Sequence, residues 1–195
     1  MVKRIVVIQG HPDPDPARFC DALALAYQRG ALAAGHEVLL IRAGERDIPL
    51  LRSQSDFEQG KCPETLADIQ RAILHAQHIV IVFPLWLGGA PALLKALLEQ
   101  VMRPGAVFEP GRTGRWPQGR LRGISARVVV TMAMPALVYR LWYRAAGVKS
   151  LIRSILNFVG VSPVATSYIG MVAGGSPADR ERWLRRMEEF GTRAA

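Results

Sequence analysis

Only two cysteines, Cys20 and Cys62, occur in the 195 residues, and neither has a CxxC partner or a metal-ligand spacing. A disulfide framework is excluded. The four histidines, His11, His36, His75 and His78, fall in no zinc pattern such as HExxH, so no metal site is expected. No apolar stretch reaches the length of a membrane span. The chain begins at once on a strand-like run, so no secretory leader is expected and the compartment reads as cytoplasmic. Acidic residues are also scarce: 25 Lys and Arg face 16 Asp and Glu, a net charge of +9. That balance suits anionic ligands such as nucleotide cofactors, nucleic acid or an acidic membrane surface. Yet no run reaches about five consecutive basic residues, and no nucleic-acid signature is visible. The scatter, with Arg exceeding Lys, fits compositional bias, and no nucleic-acid partner is expected.

Half of the residues are hydrophobic and 21% are charged, without repeats or low-complexity tracts. Such a chain buries a sizeable core as one domain, residues 1–195. Lys3 to Gln9 is a β-branched strand, and His11-Pro12-Asp13-Pro14-Asp15-Pro16 must be a loop. A helix follows over 17–34, with Gly35 in the C-cap place. Glu37 to Ile41 is the second strand, and 42–62 reads as an extended surface connection. A helix spans Pro63 to Ala76, a strand His78 to Phe83 and a helix Pro91 to Arg103. Residues 104–123 form a long loop anchored by Phe108 and Trp116, and loops of that length tend to be functional. A fourth strand runs from Ala126 to Met132. Residues 136–159 are helical in two pieces, broken near Gly147. Val164 to Val172 is a fifth strand and Pro177 to Arg193 an amphipathic closing helix.

Strands alternating with helices predict a parallel sheet between two helical layers. Five short, doubly apolar strands point to a flavodoxin-like three-layer α/β sandwich of strand order 2-1-3-4-5, or to half a Rossmann fold. The first strand is followed by Gly10-His11-Pro12-Asp13, not GxGxxG, and no Walker A lysine exists.

The most informative segment is Phe83-Pro84-Leu85-Trp86-Leu87-Gly88-Gly89-Ala90-Pro91-Ala92-Leu93-Leu94-Lys95. A buried strand stops at Pro84, and a helix starts near Pro91, where a missing N–H costs nothing. In an open α/β sheet, ligands sit in the loops at the carboxyl ends of the strands. This loop carries no charge between Phe83 and Ala90 and offers bare backbone N–H groups beside Trp86. It suits a flat, neutral heteroaromatic ring better than a phosphate. It also reads as an ordinary strand–helix connection with a packing tryptophan.

Three segments together resemble one family. They are Gln9-Gly10-His11-Pro12 with Arg18-Phe19, then Phe83 to Lys95 continuing to Glu99-Gln100-Val101 and Arg103-Pro104-Gly105, and Thr131-Met132-Ala133-Met134-Pro135. The chain resembles, along its whole length, the NAD(P)H–quinone oxidoreductase and modulator-of-drug-activity branch of the flavodoxin-like superfamily, which includes ancillary reductases of potassium-efflux systems. The resemblance implies a homodimer binding flavin, FMN or FAD, at the sheet's carboxyl edge. It implies a ping-pong cycle in which NADH or NADPH reduces the flavin and a quinone-like acceptor then takes the electrons. Carried over, His11 contacts the flavin's phosphate and ribityl side, with Arg18 and Phe19 at the start of the first helix. Pro84, Leu85, Trp86, Leu87 and Gly88 cup the ring, and Thr131, Met132, Ala133 and Met134 lie along its pyrimidine end. Arg18 stands where the family often has serine, and reaches the phosphate itself. Where many quinone reductases have Thr-Thr-Gly-Gly, this chain has Thr131-Met132-Ala133-Met134, and the bulkier Met132 and Met134 narrow the pocket or alter ring contacts. Tyr139 falls at the spacing of a catalytic tyrosine, while the matching histidine place is Ala145, so a Tyr–His relay is not supported.

Each residue also has a plainer reading. His11 reads as a loop histidine bonded to Asp13 or Asp15, Trp86 as a core plug, Arg18 as a solvated charge, and the glycines as turn geometry. Tyr139 with Trp142 and Tyr143 reads as one packed helix face or as a dimer surface. Loop 104–123 either covers a partner's flavin or is a surface excursion. Arg182, Arg185 and Arg186 near Trp183 read as a solvated face first and a membrane-edge contact second. The competing class is a flavin-binding regulatory subunit that docks on a membrane transporter with little turnover.

Overall fold

The computed structural model describes residues 1–111 and 116–195. Five parallel strands form the main sheet: β1 (Arg4–Gln9), β2 (Glu37–Arg42), β3 (His78–Pro84), β6 (Ser125–Thr131) and β7 (Val164–Ile169). Their order is β2-β1-β3-β6-β7. With the small pair β4 (Phe108–Glu109) and β5 (Gln118–Gly119) set aside, this is the expected 2-1-3-4-5.

Side-chain alternation divides the core into two layers. Ile5, Val7, Val80 and Val82 face α1 (Phe19–Ala33) and α7 (Pro177–Arg193), packing on Leu23, Tyr27, Met187 and Phe190. Val6, Ile8, Ile79 and Ile81 face the opposite layer. There they meet α3 (Ala67–His75), α4 (Ala92–Val101) and the segment from α6 (Ala146–Ser150) into a π-helix over Leu151–Asn157. The central strand β3 is apolar on both sides, as a strand buried between two helical layers must be. The last helix opens with a capping box, Ser176 with Asp179, and Pro177 in its first turn.

Several boundaries differ from the sequence reading. The first helix begins at Phe19 rather than at 17, because the Asp-Pro loop turns through Arg18 before the helix starts. The stretch 42–62 is not wholly irregular: it holds a 3₁₀ turn at Ala43–Glu45 and α2 (Gln54–Gln59). Ser53 caps α2 by accepting the Asp56 N–H at 3.0 Å. The helix expected from Pro63 starts as a 3₁₀ turn over Glu64–Leu66. The long loop carries an antiparallel pair, Phe108 opposite Gly119 and Glu109 opposite Gln118; its residues 112–115 lie outside the described residues. The fifth strand stops at Ile169 instead of Val172.

The break in the 136–159 helix falls at Arg144 and Ala145, both left-handed with φ of 52° and 50°. Gly147 lies just inside α6, and its role there is contact. A Cβ on it would come well inside 3.0 Å of the Gly88 carbonyl oxygen. The helix after α5 (Ala136–Leu141) therefore seats directly on the loop that follows β3.

Candidate functional site

The carboxyl ends of β1, β3, β6 and β7 lead into loops that surround a cavity of about 440 Å³, within the usual range for a small-molecule site. His11, Arg18 and Phe19 line it from the first loop, and Pro84, Leu85 and Trp86 from the β3 loop. Thr131, Met132 and Ala133 follow β6, and Val172 and Arg180 close the far side. A larger recess of about 590 Å³ lies elsewhere, between α2, α4 and the π-helix, away from these strand ends.

The β3 loop is built by backbone geometry. Trp86 and Gly89 exchange hydrogen bonds of 3.0 and 2.9 Å around Leu87 and Gly88. With φ of 47° and 80° at those two residues, this is a type I′ turn. The conformation costs a residue with a β-carbon about 1 kcal/mol, so Leu87 is held there by its surroundings. The expectation of bare N–H groups is corrected in part. The Leu85 N–H donates to the Thr131 carbonyl at 2.7 Å, and the Trp86 N–H is taken by the turn. Within the turn from Trp86 to Gly89, the amides of Leu87 and Gly88 have no partner among the described residues.

The first loop is built by side chains. The Gln9 amide oxygen accepts the His11 N–H at 3.2 Å, and His11 Nδ1 accepts the Asp13 N–H at 3.0 Å. Asp13 and Asp15 accept the N–H groups of Asp15 and Ala17 at 3.0 and 2.9 Å. Arg18 Nε donates to Asp13 at 2.8 Å and lies 3.7 Å from Asp15. Arg18 thus starts out paired with carboxylates of its own loop. It is the N-cap of α1 without a side-chain cap, so the first amides of α1, Phe19 and Cys20, point outward without helical partners. The start of α1 is pinned from below, where Arg42 Nε donates to the buried Asp21 at 2.6 Å. The His11 ring meets Trp86 edge-on at 5.8 Å between centroids, joining the two loops across the cavity.

Burial, and then the Arg18 charge, hold the His11 pKa below its ordinary value. Burial pushes the Cys20 thiol up to about 11, and its sulfur sits 3.3 Å from the Thr131 hydroxyl. The Asp13 carboxyl is held low, first by the Asp15 N–H and then by Arg18. The cavity therefore presents neutral His11, a protonated thiol and hydrogen-bond donors. It offers shape and donors more than acid–base chemistry.

The structure brings together His11, Arg18, Phe19, Pro84, Leu85, Trp86, Thr131, Met132 and Ala133. It does not bring in Leu87, Gly88 or Met134 as lining side chains. Leu87 projects fully into solvent from the tip of its turn, and Met134 packs partly buried against the core. Tyr139 stands behind the turn instead of lining the cavity. Its ring is buried, its hydroxyl donates to the Gly88 carbonyl at 3.0 Å and accepts the Val148 N–H at 3.3 Å. Burial raises its pKa. The tyrosine holds the turn through Gly88 O and is not among the residues that line this cavity. Ala145, at the relay's histidine place, is buried and left-handed.

Sequence reasoning missed Ala17, Cys20, Val172, Ala173 and Arg180. Arg180 lies 5.6 Å above the Phe19 ring and donates to the Val172 carbonyl at 3.1 Å. Its signal was lost within the arginine-rich, amphipathic run of α7, where one cation looks like the next. Cys20 had a weak signal, as the residue directly after Phe19 at a helix start.

This architecture is that of a flavodoxin-like protein, with its candidate site at the carboxyl edge of the sheet. The sequence matches the family described as having the flavodoxin-like fold over residues 3–190, and the chain belongs to that family. It is 27% identical over 115 residues to FMN-dependent NADH:quinone oxidoreductase 1 of Colwellia psychrerythraea, covering 56% of this chain and 57% of that protein. The chain thus spans little more than half the length of that curated relative. Among solved structures, the NAD(P)H:quinone oxidoreductase from Methanothermobacter marburgensis superposes with a TM-score of 0.81 at 20% identity, over 100% of this chain and 98% of that one. An FMN-dependent NADH-azoreductase from Bacillus anthracis, in complex with FMN, gives 0.76 at 17% identity over 100% of both chains. At such identities these two likenesses show the fold. Among the described residues, no helix is long and apolar enough to cross a membrane.

Proposed function

We propose that the cavity holds a flavin and that the chain is an NAD(P)H-dependent oxidoreductase of quinone-like acceptors. One observation carries this reading. At one end the cavity has the uncapped start of α1 between Arg18 and Arg180; at the other it has the uncharged wall of Pro84, Leu85 and Trp86, which leads into the turn at Leu87 and Gly88. That polarity fits a molecule with a phosphate at one end and a flat neutral ring at the other. The relatives' dependence on FMN favours FMN over FAD, and NADH as a reductant beside NADPH.

Bound there, the flavin supplies a ring that takes a hydride and passes two electrons on. The chain's residues do the positioning. The Phe19 and Cys20 amides, with Arg18 and Arg180, hold the phosphate. For Arg18 this means exchanging its Asp13 partner for the phosphate, which keeps the site's cation paired in both states. Leu87 and Gly88 amides meet the polar edge of the ring, and Pro84, Trp86 and Met132 shield it from water. His11 stays neutral at the ribityl side. The reading includes a ping-pong order, with reductant leaving before acceptor enters, and a homodimer.

The test is a visible spectrum of the purified protein with FMN or FAD, followed by anaerobic NADH or NADPH and then a quinone. Bands that bleach with the nucleotide and return with the quinone are the expected result. Absence of flavin binding would overturn the reading. Binding without turnover would instead favour a regulatory subunit docked on a transporter. Arg18→Ala and Arg180→Ala should each weaken FMN about tenfold, the loss of one charge-assisted bond of about 1.5 kcal/mol, while riboflavin, which lacks the phosphate, is unaffected.

A further inference from the structure

The net charge of this protein is not spread along the chain. Residues 110–178 contain nine Lys and Arg and not one Asp or Glu. The remaining 16 basic residues are matched by 16 acidic ones, so the whole excess of +9 belongs to this segment. Among the described residues, the same segment carries a cluster of exposed apolar side chains. Along α5 and just past it, Leu137, Leu141 and Trp142 are 62%, 70% and 82% exposed, with Val138 beside them. These four side chains alone line an open recess of about 420 Å³. Arg140 lies on the same helix and Arg144 just past it, with Lys149 and Arg153 on the helical segment that follows, and all four are exposed. Among the described residues, no carboxylate lies within salt-bridge distance of any of the four.

We propose that this face docks on the surface of an anionic lipid bilayer. Leu137, Val138, Leu141 and Trp142 enter the boundary between headgroups and acyl chains, and the four cations meet lipid phosphates. Apolar area and basic charge on one surface are the two terms that add in interfacial binding. A second copy of this chain is the poorer occupant. A two-fold contact sets the patch against the same patch of the partner, and residues 110–178 hold no acidic residue to counter Arg140 and Arg144. Nucleic acid would use the cations but leave Leu137, Val138 and Leu141 without a role. Docking here also orients the cavity. Tyr139, on the same helix, holds the Gly88 carbonyl of the cavity turn, and Leu87 stands fully exposed at that turn's tip. The inference is independent of the flavin reading.

The experiment is co-sedimentation of the full chain with vesicles of phosphatidylglycerol and phosphatidylcholine in equal parts, against vesicles of phosphatidylcholine alone. At low salt, anionic vesicles should carry down about tenfold more protein, and rising salt should reverse this. Trp142→Asp, and separately the pair Arg140→Glu and Arg144→Glu, should each reduce binding to the level of the neutral vesicles. Equal recovery with both vesicle types overturns the proposal, as does full binding by both variants. Sedimentation velocity adds a further check: if Trp142→Asp turns a dimer into a monomer, a second copy covers this face and the proposal fails. Quenching by brominated anionic lipids needs no disruptive variant. Wild type should lose more fluorescence than Trp142→Phe, and equal quenching would overturn the insertion.

Discussion

Two loops face each other across the cavity and are held by opposite means. The turn after β3 is fixed by backbone bonds, by the buried Tyr139 hydroxyl and by close seating of Gly147 on Gly88. The loop after β1 is fixed by a ladder of exposed or half-exposed side chains: His11, Asp13, Asp15 and Arg18. The first device is steric and insensitive to solvent. The second is ionic, so it responds to protons, salt and any anion that competes for Arg18. Under the proposed flavin reading, the first is a rigid wall for the ring and the second an exchangeable wall for the phosphate. The relation between the walls is testable by damaging one and reading the other.

The largest effect is expected from Gly147→Ala. Its new Cβ would press on the Gly88 carbonyl, which is backbone and cannot rotate away. Displacing it should cost about 3 kcal/mol, the upper end for overpacking, read as a lower denaturant midpoint and weakened binding of riboflavin as well as FMN. Tyr139→Phe should come next. It strands a half-buried acceptor, Gly88 O, and a buried donor, Val148 N–H. A loss of about 2 kcal/mol follows from two unmet partners. If Tyr139 were also an acid in the reaction, the variant would in addition lose turnover with a changed pH profile. Because burial raises the Tyr139 pKa, its proton stays in place through neutral pH, and the wall it supports should not respond to pH there.

Much of this was readable from sequence, and what was not has physical causes. The covered parallel sheet followed from short, uniformly apolar runs alternating with helices, while the order 2-1-3-4-5 stood beside half a Rossmann fold until the strands were placed. The β3 turn was marked by Pro84, Gly88, Gly89 and Pro91, residues whose backbone limits are local. Arg180 was invisible because its place depends on where α7 lands, over 160 residues after Phe19 in the chain. Tyr139 was marked by its spacing alone, which cannot show that its hydroxyl bonds Gly88 and, across the helix break at Arg144–Ala145, Val148. The hairpin pair within 104–123 was missed because two-residue strands carry no alternation to detect.

The smallest effect should appear in the ionic wall on acidification. His11 has a native pKa below its ordinary 6.5, with burial as the main cause. Its unfolded form therefore takes up a proton first, and its contribution is complete above pH 6.5 and lost as pH falls through the lowered native value. Protonation also ends acceptance of the Asp13 N–H at Nδ1, so the loop should loosen in the same window. Asp13 shares the sign in a lower window: its contribution holds above its ordinary 3.8 and is lost as pH falls through its depressed value. A stronger acid response comes from His78, buried at the other end of the sheet with a pKa lowered to about 4. It would dominate a global melt, so the wall must be read locally. Amide exchange at Asp13 and Asp15 between pH 7 and 5, corrected for intrinsic exchange rates, should show protection falling, while Trp86 and Gly89 stay protected. His11→Asn keeps a side-chain acceptor without a titrating group and should abolish that difference. Equal loss of protection in both loops would mean that they are coupled through the His11–Trp86 contact, and that the cavity opens as one unit.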